Sequence, residues 1–199
     1  MQEMRDNKGF SLVELVIVLA LMAVLGSAIF YSYTLLFGQY ARQCANNISA
    51  ALDKEKNYAL AKSATIDCYM ELTKDSKGIN VKYYTPSNAI AQGNSVDHWV
   101  EVAGETRKIG NKNVDVSFDL DDGSTISLAE GQSLKFIYNR TSGALKGVVS
   151  SDGATKGLPL DAGGNVVVTG KCTKITIING RTYEIVIYPA TGKHVLSRV

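Results

Sequence analysis

One carboxylate, Glu14, sits in a stretch of chain where a charge is costly. A polar leader ends at Lys8-Gly9, Phe10-Ser11-Leu12-Val13-Glu14 follows, and an almost unbroken apolar run then extends from Leu15 to Phe30. The first charge after Glu14 is Arg42. An uncharged helical stretch of about 20 apolar residues is long enough to cross a bilayer. A carboxylate within such a segment costs on the order of 3 kcal/mol at the bilayer centre and is usually kept for function. In a low dielectric its chemistry is charge pairing, because an unpartnered charge there is strongly disfavoured.

The residues KGFSLVELVIVLALMAVLG resemble the class III signal of type IV prepilins and pseudopilins. The resemblance implies that a membrane prepilin peptidase cuts after Gly9 and N-methylates Phe10, and it places the family's acid, at the fifth mature position, on Glu14. It also implies the partners: other pilin or pseudopilin subunits, the prepilin peptidase, an inner-membrane assembly platform and membrane lipid. The implied location is a single-pass membrane protein with its globular domain outside the cytoplasm, later lifted into a filament. At about 1.5 Å of rise per residue, Glu14 lies roughly 6 Å from the new amino terminus. Among staggered helices, Glu14 of one subunit could neutralise the Phe10 ammonium of the next and so set the axial register. The weakly basic leader, with Arg5 and Lys8 against Glu3 and Asp6, favours cytoplasmic retention. Two plainer readings compete: an ordinary anchor that tolerates an acid, and a secretory signal cut after Gly26-Ser27-Ala28.

Other chemistry is sparse. The histidines are His98 and His194, too few and too scattered to suggest catalysis. Asp119-Leu120-Asp121-Asp122-Gly123-Ser124 looks like a calcium loop, but its glycine falls one place early, and a hairpin turn explains it better. No metal, cofactor or enzyme activity is expected. Cys44, Cys68 and Cys172 contain no C-x-x-C pair, so neither zinc nor a redox motif is suggested. Cys68 and Cys172 are candidates for a disulfide in an oxidising exterior, with buried thiols as the alternative. The net charge of +2 over 199 residues argues against a broad nucleic-acid surface. Arg181, Lys193 and Arg198 are the candidate DNA contacts, and a charged, solvated strand edge is the alternative.

These residues need elements to hold them. Phe37, Ala41, Cys44, Ile48, Leu52 and Ala59 recur at helical spacing and form the stripe of an amphipathic helix. Asp53, Lys54, Glu55 and Lys56 read as its charged outer face. One helix is therefore expected from Phe10 to about Lys62, without the kinking proline that many pilins carry near the position of Tyr31. Beyond it lie short runs rich in Val, Ile, Tyr and Phe: TIDCYMEL, GINVKYYT, HWVEVAG, VDVSFDL, SLKFIYN, VVVTG, KITIIN and TYEIVIY. Turn signals separate them, clearest at Asn179-Gly180. Ser150 to Gly164 reads as a long loop. The fold class is α+β, a long N-terminal helix with a membrane half and an amphipathic half, the latter packed on an antiparallel β-sheet. The expected divisions are a leader at 1–9, a transmembrane or filament-core helix at 10–38, and a pilin-like domain at 39–199 whose helix ends near 62.

The stretches NNISAALDKEKNYALAKSATI and ITIINGRTYEIVIYPATGKHVL are similar to the H-type pseudopilin and FimT-like group. The expected function is that of a minor pilin or pseudopilin in a type IV pilus or type II secretion filament. A competence-type pilin that binds DNA is the alternative, followed by a membrane-anchored enzyme or binding module.

Overall fold

The computed structural model describes residues 11–61, 67–86, 99–153, 157–162 and 165–199. The chain separates into two compact units, Met1–Phe37 and Gly38–Val199. A single helix among the described residues, α1 (Leu12–Ala61), covers the expected span apart from its ends. Phe10 and Lys62 lie outside the described residues. Within the second unit, the predicted stripe residues Ala41, Cys44, Ile48, Leu52 and Ala59 are fully buried, and Ala45 and Ala51 beside them are at most 3 % exposed. Glu55 corrects the expectation of an outer face. It is fully buried, because positions 48, 52, 55 and 59 follow one another by three or four residues and share one helical face.

Eleven strands follow among the described residues, and they form two antiparallel sheets rather than one. The first contains β1 (Tyr69–Asp75), β2 (Gly78–Pro86), β3 (Trp99–Glu101), β4 (Arg107–Asn111), β7 (Gln132–Tyr138) and β8 (Leu145–Asp152). Its order is β3-β2-β1-β7-β8, with β4 sharing the outer edge of β2 with β3. The second contains β5 (Asp115–Leu120), β6 (Thr125–Ser127), β9 (Cys172–Ile178), β10 (Thr182–Tyr188) and β11 (Lys193–Arg198), in the order β11-β10-β9-β5-β6. The Asn179-Gly180 hairpin joins β9 to β10 as predicted, with Gly180 at φ +66°.

The buried stripe of α1, Met70, Leu72, Leu134 and Phe136 of the first sheet, and Phe118, Ile175, Ile177 and Ile185 of the second form one core. Phe118 meets Phe136 edge-on at 5.8 Å. The helix is tied on both flanks. Asn47 donates to the Ile109 carbonyl at 3.0 Å, Tyr58 to Glu105 at 2.6 Å, and Lys56 to the Thr191 carbonyl at 3.0 Å.

The first sheet is covered on both faces, so burial along β1 and β7 is nearly continuous instead of alternating, and it takes in the polar residues Glu71, Ser133 and Lys135. Its outer face carries a second cluster: Tyr69, Tyr84, Ile137, Val149 and Leu158, with Trp99, Val166 and Val168 packed against it. The described residues 157–162 and 165–170, called the strap below, supply the cover. Here two expectations fail. The predicted loop at Ser150 begins later, because β8 continues to Asp152. The run Val166–Gly170 is not a strand and makes only the isolated bridges Leu160–Val166 and Val148–Gly170. Val166 and Val168 cover the sheet, and Val168 sits where a side chain on Gly147 would come within 2.6 Å, while Val167 between them is exposed.

Beneath the strap lies a buried ion pair. Glu71 on β1 is directly opposite Lys135 on β7, and Lys135 Nζ is 3.8 Å from Glu71 Oε1. The same ammonium donates to the Gly157 carbonyl at 2.8 Å, while the Gly157 amide donates to the Tyr69 hydroxyl at 3.1 Å. One strap residue is thus gripped at both of its backbone polar groups. Burial holds the Lys135 ammonium below the ordinary lysine value, opposed by the charge of Glu71.

Candidate functional site

In the first unit, the described side chains are exposed along the helix. Ser11 opens the helix, accepting a hydrogen bond from the Leu15 amide at 3.1 Å, which places it at the N-cap. Glu14 then falls at the third helical position, in the first turn. Ser-x-x-Glu is the spacing of a capping box, and an acid there also faces the positive end of the helix dipole. The spacing suits such a local role, which requires no partner subunit. Gly9 and Phe10, the predicted processing junction, lie outside the described residues.

Behind Glu14, apolar side chains are exposed around the helix: Leu12 is 79 % exposed, Leu19 57 %, Leu25 63 % and Ile29 70 %. A helix that is apolar all round is stable only when covered by lipid or by other protein. Among the described residues, no helix is long and apolar enough to cross a membrane.

The second unit resolves the remaining candidates. Ser49 Oγ lies 2.8 Å from His194 Nε2, and Asp53 Oδ2 lies 3.7 Å from that same nitrogen. In a serine–histidine–acid triad the acid holds Nδ1, leaving Nε2 to the serine. Here both oxygens address one nitrogen, so the three residues fasten β11 to α1 and have no relay geometry. His98 lies outside the described residues. Asp119–Ser124 is a hairpin turn: the Asp122 carboxylate accepts from the Ser124 amide at 2.8 Å and its hydroxyl at 2.6 Å, with Gly123 at φ +84°. Hydrogen bonds from Ser124 hold the Asp122 carboxyl below its usual range. No group of His, Cys, Asp or Glu among the described residues is arranged to hold a metal ion.

Cys44, Cys68 and Cys172 are all buried, and no disulfide joins Cys68 to Cys172. Burial pushes the Cys44 and Cys172 thiols up to about 12. The three candidate DNA-contacting cations are not a single patch. Lys193 and Arg198 stand at opposite ends of β11, opposite Tyr188 and Tyr183 respectively. Five residues apart on a strand, they also point to opposite faces. Arg181 lies in the β9–β10 turn, near the Arg198 end.

Residues 4–30 match the family model of the prokaryotic N-terminal methylation motif. The chain therefore carries the class III signal of type IV pilin-like proteins, which implies processing by a prepilin peptidase, methylation, other pilin subunits as partners and membrane anchoring through α1. No curated protein and no solved structure matches the chain.

Proposed function

We propose that this pilin-like chain is a minor pilin or pseudopilin, a structural subunit of a type IV pilus or type II secretion filament. The observation that carries the reading is the contrast between its units. The second buries its apolar side chains in two clusters, whereas the first exposes Leu15, Leu19, Leu25 and Ile29 behind a single acid. Such a segment serves two environments in turn, lipid during storage and neighbouring helices after assembly. In the assembled state Glu14 pairs with the methylated Phe10 ammonium of a neighbour. While the subunit is alone, the helix N-terminus satisfies Glu14 locally. An assembly ATPase and platform protein, supplied by other chains, lift the subunit.

Intact mass spectrometry of the chain coexpressed with a prepilin peptidase tests the processing step. The expected product begins at Phe10 and carries one methyl group, and Gly9→Val blocks its formation. A product beginning at Ile29 refutes the reading and restores a secretory signal. Sheared-filament fractions test assembly. Glu14→Ala is expected to enter the membrane normally and to be depleted from filaments.

A further inference from the structure

The edge of a sheet carries backbone groups that its own strands leave unpaired, and it is a template for a further strand. At the β8 edge of the first sheet, Val148 is bridged to Gly170. In the second sheet, β6 spans only Thr125–Ser127 at one edge, whereas β11 spans Lys193–Arg198 at the other. The residue after β11, Val199, donates its amide to the Thr182 carbonyl at 3.2 Å. Antiparallel pairs alternate between bonded and non-bonded, and the β10–β11 register is unbroken, so Ser197 and Val195 also turn their backbone groups to β10. His194, Leu196 and Arg198 turn theirs outwards. Among the described residues no strand pairs with that side of β11.

This edge is held in place before anything meets it. Ser49 and Asp53 fasten His194 to α1, and Lys56 donates to the Thr191 carbonyl just ahead of the strand. The strand is apolar in the middle and cationic at its ends. Leu196 packs against the core on one face, and Val195, opposite Val186, is exposed on the other. Lys193 and Arg198 stand exposed at the two ends, and among the described residues no ion pair involves either. Around the strand, Glu184, opposite Ser197, lies 3.5 Å from Lys174, and Asp53 lies 3.7 Å from His194. β11 itself contains no acid.

A strand laid along β11 gains hydrogen bonds from His194, Leu196 and Arg198 without displacing those to β10, and main-chain bonds of this kind supply affinity in strand addition. Because the edge is already fixed, the ordering cost falls on the newcomer. Lysine on an edge also deters stray pairing. Here the cations flank an apolar centre, so a segment bounded by acids is attracted and one bounded by cations is repelled. A second copy of β11 brings the same cations, which disfavours self-pairing. We propose that β11 is a docking edge for an extended segment of another protein, apolar at its centre and acidic at its ends, which joins the second sheet as a further strand. The proposal goes beyond the pilin reading and does not depend on it.

The test uses the full chain in detergent with the peptide acetyl-Glu-Thr-Val-Val-Thr-Glu-amide, whose palindromic order suits either strand direction. Amide hydrogen exchange is followed over residues 193–199. Saturating peptide should slow the outward amides about fivefold, the effect of roughly one net hydrogen bond at each. A peptide with lysine at both ends, and one with proline in place of both valines, should give no protection. Arg198→Pro removes an outward amide and a cation while sparing the bonds to β10, and should abolish the effect with the rest of the exchange map unchanged. Lys193→Glu/Arg198→Glu should reverse the preference towards the lysine-ended peptide. No protection by the acid-ended peptide, or equal protection by both charged peptides, refutes the docking edge. Protection that grows with the concentration of the chain alone refutes it in favour of a second copy. Protection by duplex DNA and not by peptide refutes it in favour of a nucleic-acid surface.

Discussion

Replacing Lys135 by Met leaves the Glu71 carboxylate 4 % exposed with no cation opposite it. At the 3.8 Å separation seen here, a pair of unit charges attracts by about 4 kcal/mol at an effective dielectric constant near 20. Removing one partner of a buried pair typically costs about 3–5 kcal/mol, because the other charge stays desolvated. The Gly157 carbonyl also loses its donor, a loss of about 1–3 kcal/mol when the acceptor stays buried. Lys135→Met and Glu71→Met should therefore each destabilise the second unit by about 3–5 kcal/mol. Glu71→Met/Lys135→Met removes both charges and should fall within about 2 kcal/mol of the wild type, giving a coupling well above 2 kcal/mol. The assay is denaturant unfolding in detergent, followed by the fluorescence of Trp99, the one tryptophan of the chain, which packs against the cluster under the strap. Single substitutions that each cost under about 1 kcal/mol, or a double substitution as harmful as their sum, would refute the pairing argument.

Gly192 offers a backbone test. It has φ +61°, and a Cβ there would fall 2.0 Å from the Gly143 carbonyl oxygen, wedging the β7–β8 and β10–β11 turns apart. Gly192→Ala should cost about 2–4 kcal/mol by the same unfolding assay, from the left-handed conformation plus the clash. The thiols predict an alkaline limit. Cys44 and Cys172 keep their protons in the fold up to about 12, against an ordinary 9.0. The unfolded chain therefore holds fewer protons than the fold between those values, and stability should fall as pH rises through that window. Denaturant midpoints across the range, compared with Cys44→Ala/Cys172→Ala, check it. Iodoacetamide labelling of Cys44 and Cys172 at pH 8 should be slow in the native chain and fast in denaturant, measured by mass spectrometry.

The helix was legible because its signal is local and repeated. Ala41, Cys44, Ile48, Leu52 and Ala59 return at the helical period, and every one is buried. Glu55 was misread because its charge outweighed its phase. Most strands were visible as β-branched and aromatic runs. β8 was missed because Gly147, Ser150 and Ser151 dilute its pattern, and β4 and β6 because Arg107–Asn111 and Thr125–Ser127 are short and polar. Val166–Gly170 shows the opposite error: apolarity reports burial, and only hydrogen-bond partners make a strand. The division into two sheets, and the opposition of Glu71 and Lys135, depend on pairings across long stretches of chain that no local window contains. The signal at the other end was readable because it is contiguous: Gly9, Phe10 and Glu14 all fall within the matched residues 4–30.

The grip on Gly157 also fixes an order of events. Its two holders, Tyr69 and Lys135, come from β1 and β7, and their side chains converge only after those strands have paired in register. The strap therefore docks late in folding, onto a sheet that already exists. By the same logic it is the first part of the domain to lift off, since releasing it exposes one small cluster and leaves every strand of the first sheet paired.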